Sequence, residues 1–199
     1  MLRRMTEPEE IRSFLAIEIS DTSRDWIEER SREMRREFGK NVRWVKREAL
    51  HVTLHFFGKV PVKMIDKIEG ILDPLTTRFS PFFLRVKGIG AFPNIRNPRV
   101  LWAGIEDLSE GHKLRDFYAA LQGVLRDAGF PVEKRPFTPH VTIGRVKRFG
   151  RFEWGRFREL PACDPFMAGE VTFFRSDLTP KGPIYNPLKR FLFRGEGNG

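Results

Sequence analysis

Two stretches of this chain, His51-Val52-Thr53-Leu54 and His140-Val141-Thr142-Ile143, share the form His-x-Thr-x with an apolar residue at each x. Such alternation marks a β-strand, because successive side chains of a strand point to opposite faces. Each stretch can bury its apolar pair while presenting its His and Thr together on the other face. The chain holds only four His and nine Thr. Chance would supply roughly 0.18 copies of His-x-Thr, and two copies have odds of about one in a hundred. The motifs therefore constrain the fold more than any other feature: it must bring two exposed-face histidines onto strands.

The surrounding pattern repeats. Residues 11–19 read as a mostly buried strand. Thr22 then starts a helix, with Asp25 completing a capping box and Trp26, Ile27, Met34 and Phe38 forming its apolar stripe up to Gly39. Strict alternation over residues 50–57 puts Val52, Leu54 and Phe56 on one side and His51, Thr53, His55 and Phe57 on the other. Pro61 opens a second helix bearing Val62, Ile65, Ile68, Leu72 and Leu75. A strand at 82–92 follows, then a turn at 94–98. The second half runs strand (100–105), then a helix with Ser109 as N-cap and Leu114, Phe117, Leu121, Val124 and Leu125 as its stripe, closed by Gly129. Strands at 140–146, near 169–177 and at 189–194 complete the reading. The two motif strands begin 89 residues apart, and weak internal duplication accounts for the order. The expectation is an α+β fold in a single domain. Two similar lobes, about 11–92 and 98–195, are related by pseudo-two-fold symmetry; each is an antiparallel sheet with helices on its outer face, and they share a central cleft.

Composition narrows the function. With 36 Lys and Arg against 26 Asp and Glu, the net charge is +10 and the pI about 10.2. A surface of that sign suits a polyanion, and nucleic acid is the commonest one. No apolar run approaches the ~20 residues of a membrane span, and the N-terminus has no apolar signal-like core. The single cysteine, Cys163, can form no internal disulfide and anchors no thiolate zinc site. A reducing cytoplasm and a monomer are expected.

Two imidazoles facing one cleft supply an acid and a base near neutral pH, and two hydroxyls beside them suit phosphate oxygens. Cleavage of a phosphodiester fits: one His deprotonates water and the other protonates the leaving oxygen. No cofactor or metal is required. His55 with His51 spells His-x-x-x-His, but the segment is a strand and lacks the zincin Glu; His55 is expected beside the cleft or in solvent. His112 is expected on the surface. The run from Arg145 to Arg151 is a basic loop adjacent to the second motif, suited to an RNA backbone.

The motif text resembles the 2H phosphoesterase superfamily, specifically the RNA 2',3'-cyclic phosphodiesterases, also known as 2'-5' RNA ligases. The matching segments are Arg43-Trp44-Val45, Leu50 to Gly58, and Pro139 to Arg145, with Arg12 to Ile17 and Gly182 to Tyr185 also similar. The resemblance runs from about residue 11 to 194. It implies metal-independent hydrolysis of RNA 2',3'-cyclic phosphate ends, tRNA fragments included, to 2'-phosphomonoesters, with 2'-5' ligation as the reverse. It implies His51 as proton donor, His140 as proton acceptor, and Thr53 and Thr142 as phosphate ligands. Arg145, Phe56 and Tyr185 become substrate-binding candidates, with core packing an equal alternative for Phe56. Strict alternation puts Arg145 on the wrong face, so it reaches the cleft only if the strand kinks at Gly144. A non-catalytic RNA-end binding module and a 2'-5' oligonucleotide phosphodiesterase remain alternatives at this level.

Overall fold

The computed structural model describes residues 9–148, 154–158, 160–180 and 182–195. Residues 149–151 of the basic loop lie outside the described residues. In chain order the elements are β1 (Glu10–Glu18), α1 (Asp21–Phe38), β2 (Val42–Trp44), β3 (His51–Pro61), α2 (Ile65–Thr76), β4 (Phe82–Phe92) and β5 (Val100–Asp107). They continue with α3 (Lys113–Asp127), β6 (His140–Val146), α4 (Gly155–Arg158), β7 (Phe166–Ala168), β8 (Glu170–Thr179) and β9 (Gly182–Leu192).

The strands form one antiparallel sheet in the order β7-β4-β5-β6-β3-β1-β8-β9, with β2 added to β6. Its two halves meet at β3 and β6, through the single register pair Val52–Val141. This architecture is α+β, with the two motif strands at the middle of the sheet. The strands do not divide at residues 92–98, where the chain order placed a boundary between lobes. β4 pairs with β5 and β7, while β8 pairs with β1. The physical reason is the short connection after β4. The Asn94 side chain accepts the N–H groups of Arg96 and Asn97 at 3.0 Å, making a tight turn, and a tight turn joins antiparallel neighbours.

The helices cover one face of the sheet. α1 buries Ile27, Met34 and Phe38, α2 buries Ile68, Leu72 and Leu75, and α3 buries Leu114, Phe117, Leu121 and Leu125. All join one core with Leu15, Ile17, Val52, Leu54, Val141 and Ile143. The opposite face of β1 carries Phe14 and Ala16, which form a separate small cluster with Phe174 and Tyr185. Among the described residues no helix is long and apolar enough to cross a membrane.

Several element ends differ from the sequence reading. α1 is capped by Ser20, whose Oγ accepts the Ser23 N–H at 3.1 Å; Asp25, the expected box partner of Thr22, instead accepts from Arg47 at 2.8 Å. Pro61 ends β3, and a short 3₁₀ turn (Val62–Met64) precedes α2. Ser109 does accept the Lys113 N–H at 3.0 Å, but from a turn outside the helix. The final strand occupies Gly182–Leu192 rather than 189–194, and the three-residue strands β2 and β7 are additional. Pro183 and Pro187 explain why β9 is hard to read: they are tolerated because β9 is an edge strand.

Candidate active site

A cavity of about 260 Å³ opens on the sheet face away from the helices, beside the junction of β3 and β6. Six of the seven expected site residues line it: His51, Thr53, Phe56, Thr142, Arg145 and Tyr185. His140 stands just outside this lining, against the edge of the Phe92 ring at 4.9 Å and near Trp102 at 6.5 Å.

Two β-bulges bring these residues onto one face. Along β6, Thr142 opposes Trp102 and Gly144 opposes Leu101, so Ile143 is the extra residue. Along β3, Thr53 opposes Ala16 and His55 opposes Leu15, so Leu54 is the extra residue. Each bulge falls one place after a motif threonine and reverses the alternation beyond it. Arg145 is thereby turned to the cleft with Thr142, and Phe56 with Thr53. The kink that Arg145 required is present, one residue before Gly144. Phe56, 51% exposed, is not core.

The same shift corrects His55. It faces the helices, 6% exposed, with Gln122 Nε2 at 3.5 Å and the Phe57 ring at 4.5 Å. Burial holds its pKa down to about 4. It is a structural residue of the core. His112 is exposed at the start of α3, as expected.

Both motif histidines are held by the carbonyl two residues upstream. His140 Nδ1 lies 2.7 Å from the Thr138 oxygen; with the proton there, Nε2 is the free nitrogen. His51 likewise donates to the Ala49 carbonyl. The His51 ring is stacked on Phe14, centroids 4.8 Å apart at 26°, and meets Tyr185 edge-on at 5.3 Å. Burial among these rings holds His51 down to about 4, with the Arg24 and His140 charges acting in the same direction. Desolvation also lowers His140, helped by Arg145. Burial raises Tyr185, so its phenol stays a proton donor for hydrogen bonding. In the free protein at pH 7 both imidazoles are neutral.

Sequence reasoning missed Phe14, Arg43 and Lys46, which also line the cavity. Phe14 lies in a run where both faces are apolar, so alternation gives no signal. Arg43 and Lys46 arrive with β2, which pairs with β6 through Val42–Val146, Arg43–Arg145 and Trp44–Gly144. Gly144 is what lets β2 approach: a Cβ there would lie 2.6 Å from Val42 Cγ1 and 3.4 Å from the Trp44 ring. Among the described residues no three His, Cys, Asp or Glu side chains converge on a metal-sized site.

Residues 17–102 and 107–185 match the family described as LigT like phosphoesterase. The chain belongs to that family. It is 33% identical over 187 residues to the RNA 2',3'-cyclic phosphodiesterase of Methanothermobacter thermautotrophicus, covering 91% of this chain and 98% of the relative. The protein of that name from Archaeoglobus fulgidus is 36% identical over 184 residues, covering 91% and 99%. Among solved structures, a Thermus thermophilus protein superposes with a TM-score of 0.78 at 28% identity, covering 94% of this chain and 100% of that one. Escherichia coli LigT complexed with 3'-AMP gives 0.75 at 22% identity, covering 93% and 99%, a likeness of fold. The LigT-like fold is thus shared along nearly the full length of both chains.

Proposed function

We propose that the protein hydrolyses RNA 2',3'-cyclic phosphate ends to 2'-phosphomonoesters, using His51 and His140 as acid and base and no metal. The observation carrying this is the register at the sheet junction. Val52 opposite Val141 sets both His-x-Thr-x motifs against each other at one cavity. Relatives called RNA 2',3'-cyclic phosphodiesterase support the same substrate.

In the proposed reaction the water oxygen attacks phosphorus as His140 Nε2 takes its proton. The bond from phosphorus to the 3'-oxygen breaks, and His51 gives its proton to that oxygen. The product carries a 2'-phosphate and a 3'-hydroxyl, and proton exchange with solvent resets the pair. Thr53 and Thr142 donate to the non-bridging oxygens, and Arg145 offsets the charge on phosphorus. Phe56 and Tyr185 flank the nucleoside. His51 is neutral in the empty site, but a bound phosphodiester adds a negative charge beside it and favours the imidazolium. Substrate thus brings about the protonation the acid needs. With a 5'-hydroxyl of a second strand in place of water, the same displacement at the cyclic phosphate breaks the bond to the 3'-oxygen, which takes a proton from His51, and leaves a 2'-5' phosphodiester.

The deciding experiment incubates the protein with a nucleoside 2',3'-cyclic phosphate and EDTA and assigns the product isomer by phosphorus NMR. The 2'-phosphate is expected. Formation of the 3'-phosphate, or dependence on an added divalent ion, would overturn the mechanism.

A further inference from the structure

Arg43 and Arg145 are direct partners in the β2–β6 ladder, and both line the cavity. Like charges directly opposite one another across an antiparallel pair repel, so such a pair ordinarily has a carboxylate nearby. Here there is none. The lining includes Arg43, Lys46 and Arg145 and no Asp or Glu. Elsewhere on the described surface Arg24, Arg47, Arg85, Lys87, Lys189 and Arg190 all sit against carboxylates. Among the described residues none of these three is paired with a carboxylate, so the cavity gathers three positive charges that a bound anion would offset.

Arg145 shares β6 with His140 and Thr142 and is the one lining cation whose charge acts on both His140 and Tyr185, so it is assigned to the reacting phosphate. Arg43 and Lys46, both exposed, come from β2 and the residues just after it. In an RNA strand ending in a 2',3'-cyclic phosphate, the next phosphate is the 5'-phosphate of the same terminal nucleotide. We propose that Arg43 and Lys46 form a subsite for that 5'-phosphate, so that the site selects a cyclic phosphate at the end of a strand over a free nucleoside cyclic phosphate. This rests on the hydrolase reading above and adds to it the residues that would read the strand next to the reacting phosphate.

The test compares two ligands by calorimetry at fixed salt, a nucleoside 2'-monophosphate and the corresponding 2',5'-bisphosphate. Wild type is expected to bind the bisphosphate about tenfold more tightly, the scale of a charged hydrogen bond. Arg43→Gln and Lys46→Gln are each expected to bring the ratio of affinities towards one. Thermal melts confirm that each variant is folded, and if one is not, the other decides. A ratio near one in wild type, or an undiminished ratio in the folded variants, overturns the subsite. Turnover of the cyclic phosphate is measured separately. A wild-type protein that shows the ratio but no hydrolysis refutes the hydrolase reading and leaves the anion subsite standing.

Discussion

Val52 of β3 and Val141 of β6 are partners across the antiparallel pair that joins the two halves of the sheet. Each follows its motif histidine by one residue. The register therefore sets His51 on the side of Thr142 and Thr53 on the side of His140. Each imidazole has the other motif's hydroxyl as its neighbour, and a phosphate between them meets donors from both strands.

Replacing either histidine tests this pairing. His51→Ala and His140→Ala should each lower turnover of a 2',3'-cyclic phosphate by ~10²–10⁴. The double variant should lose less than the product of the two, since both groups serve one transition state. On a nitrophenyl phosphodiester, whose leaving group needs no proton, His51→Ala should recover most of its loss while His140→Ala stays slow. Recovery by His140→Ala instead would exchange the roles.

The pH dependence follows from burial. His51 is held to about 4 and His140 is lowered by desolvation, so the singly protonated pair is most populated in the free protein on the acid side of neutrality. The maximum of kcat/KM should lie below pH 6.5. A bound phosphate raises the imidazole pKa, so the alkaline limb of kcat should lie at higher pH than that of kcat/KM. Coincident limbs would show that the substrate's charge does not reach His51.

Gly144→Ala probes the seating of β2. Its Cβ would meet the buried Val42 and the Trp44 ring, and overpacking of this kind costs about 1–3 kcal/mol. The melting temperature should fall. KM should rise as well, because displacing β2 carries Arg43 and Lys46 away from the cavity. An unchanged KM alongside a lowered melting temperature would separate β2 from binding.

His55 should make the fold acid-sensitive. Its pKa is near 4 when folded and near 6.5 otherwise, so below pH 6.5 the unfolded chain binds the proton more readily. Stability from this group is complete above pH 6.5 and falls as pH drops towards 4, by roughly 2–4 kcal/mol. Urea unfolding at pH 7 and pH 5 measures it. His55→Gln should lessen the difference without abolishing it, because burial holds His51 equally low, and an equal loss in that variant would place the sensitivity elsewhere.

The sequence made the motif strands readable because their alternation is strict through the first four residues. β4 and β6 occupy the bounds read from the sequence. Alternation then fails at Leu54 and Ile143, and no local chemistry announces either bulge. His55 and Phe56 were assigned to each other's faces for that reason alone. Gly58, at φ 73°, hints at a further irregularity, and a second register shift does follow Phe56. The exchange of β4 with β8 and β9 between sheet halves was invisible because pairing partners are chosen by tertiary packing. Arg43 and Lys46 were hidden by the brevity of β2, three residues being too few to show a period.

The joint at Val52 and Val141 has a bearing on how relatives of this chain can diverge. The spacing of the two motif histidines is set by main-chain pairing in the interior of the sheet. The cavity's remaining walls come from pieces at the periphery: the three-residue β2 and the outermost strand β9. In the proposed reaction the backbone of the inner strands would thus hold the two histidines, while the outer pieces would meet the rest of the substrate.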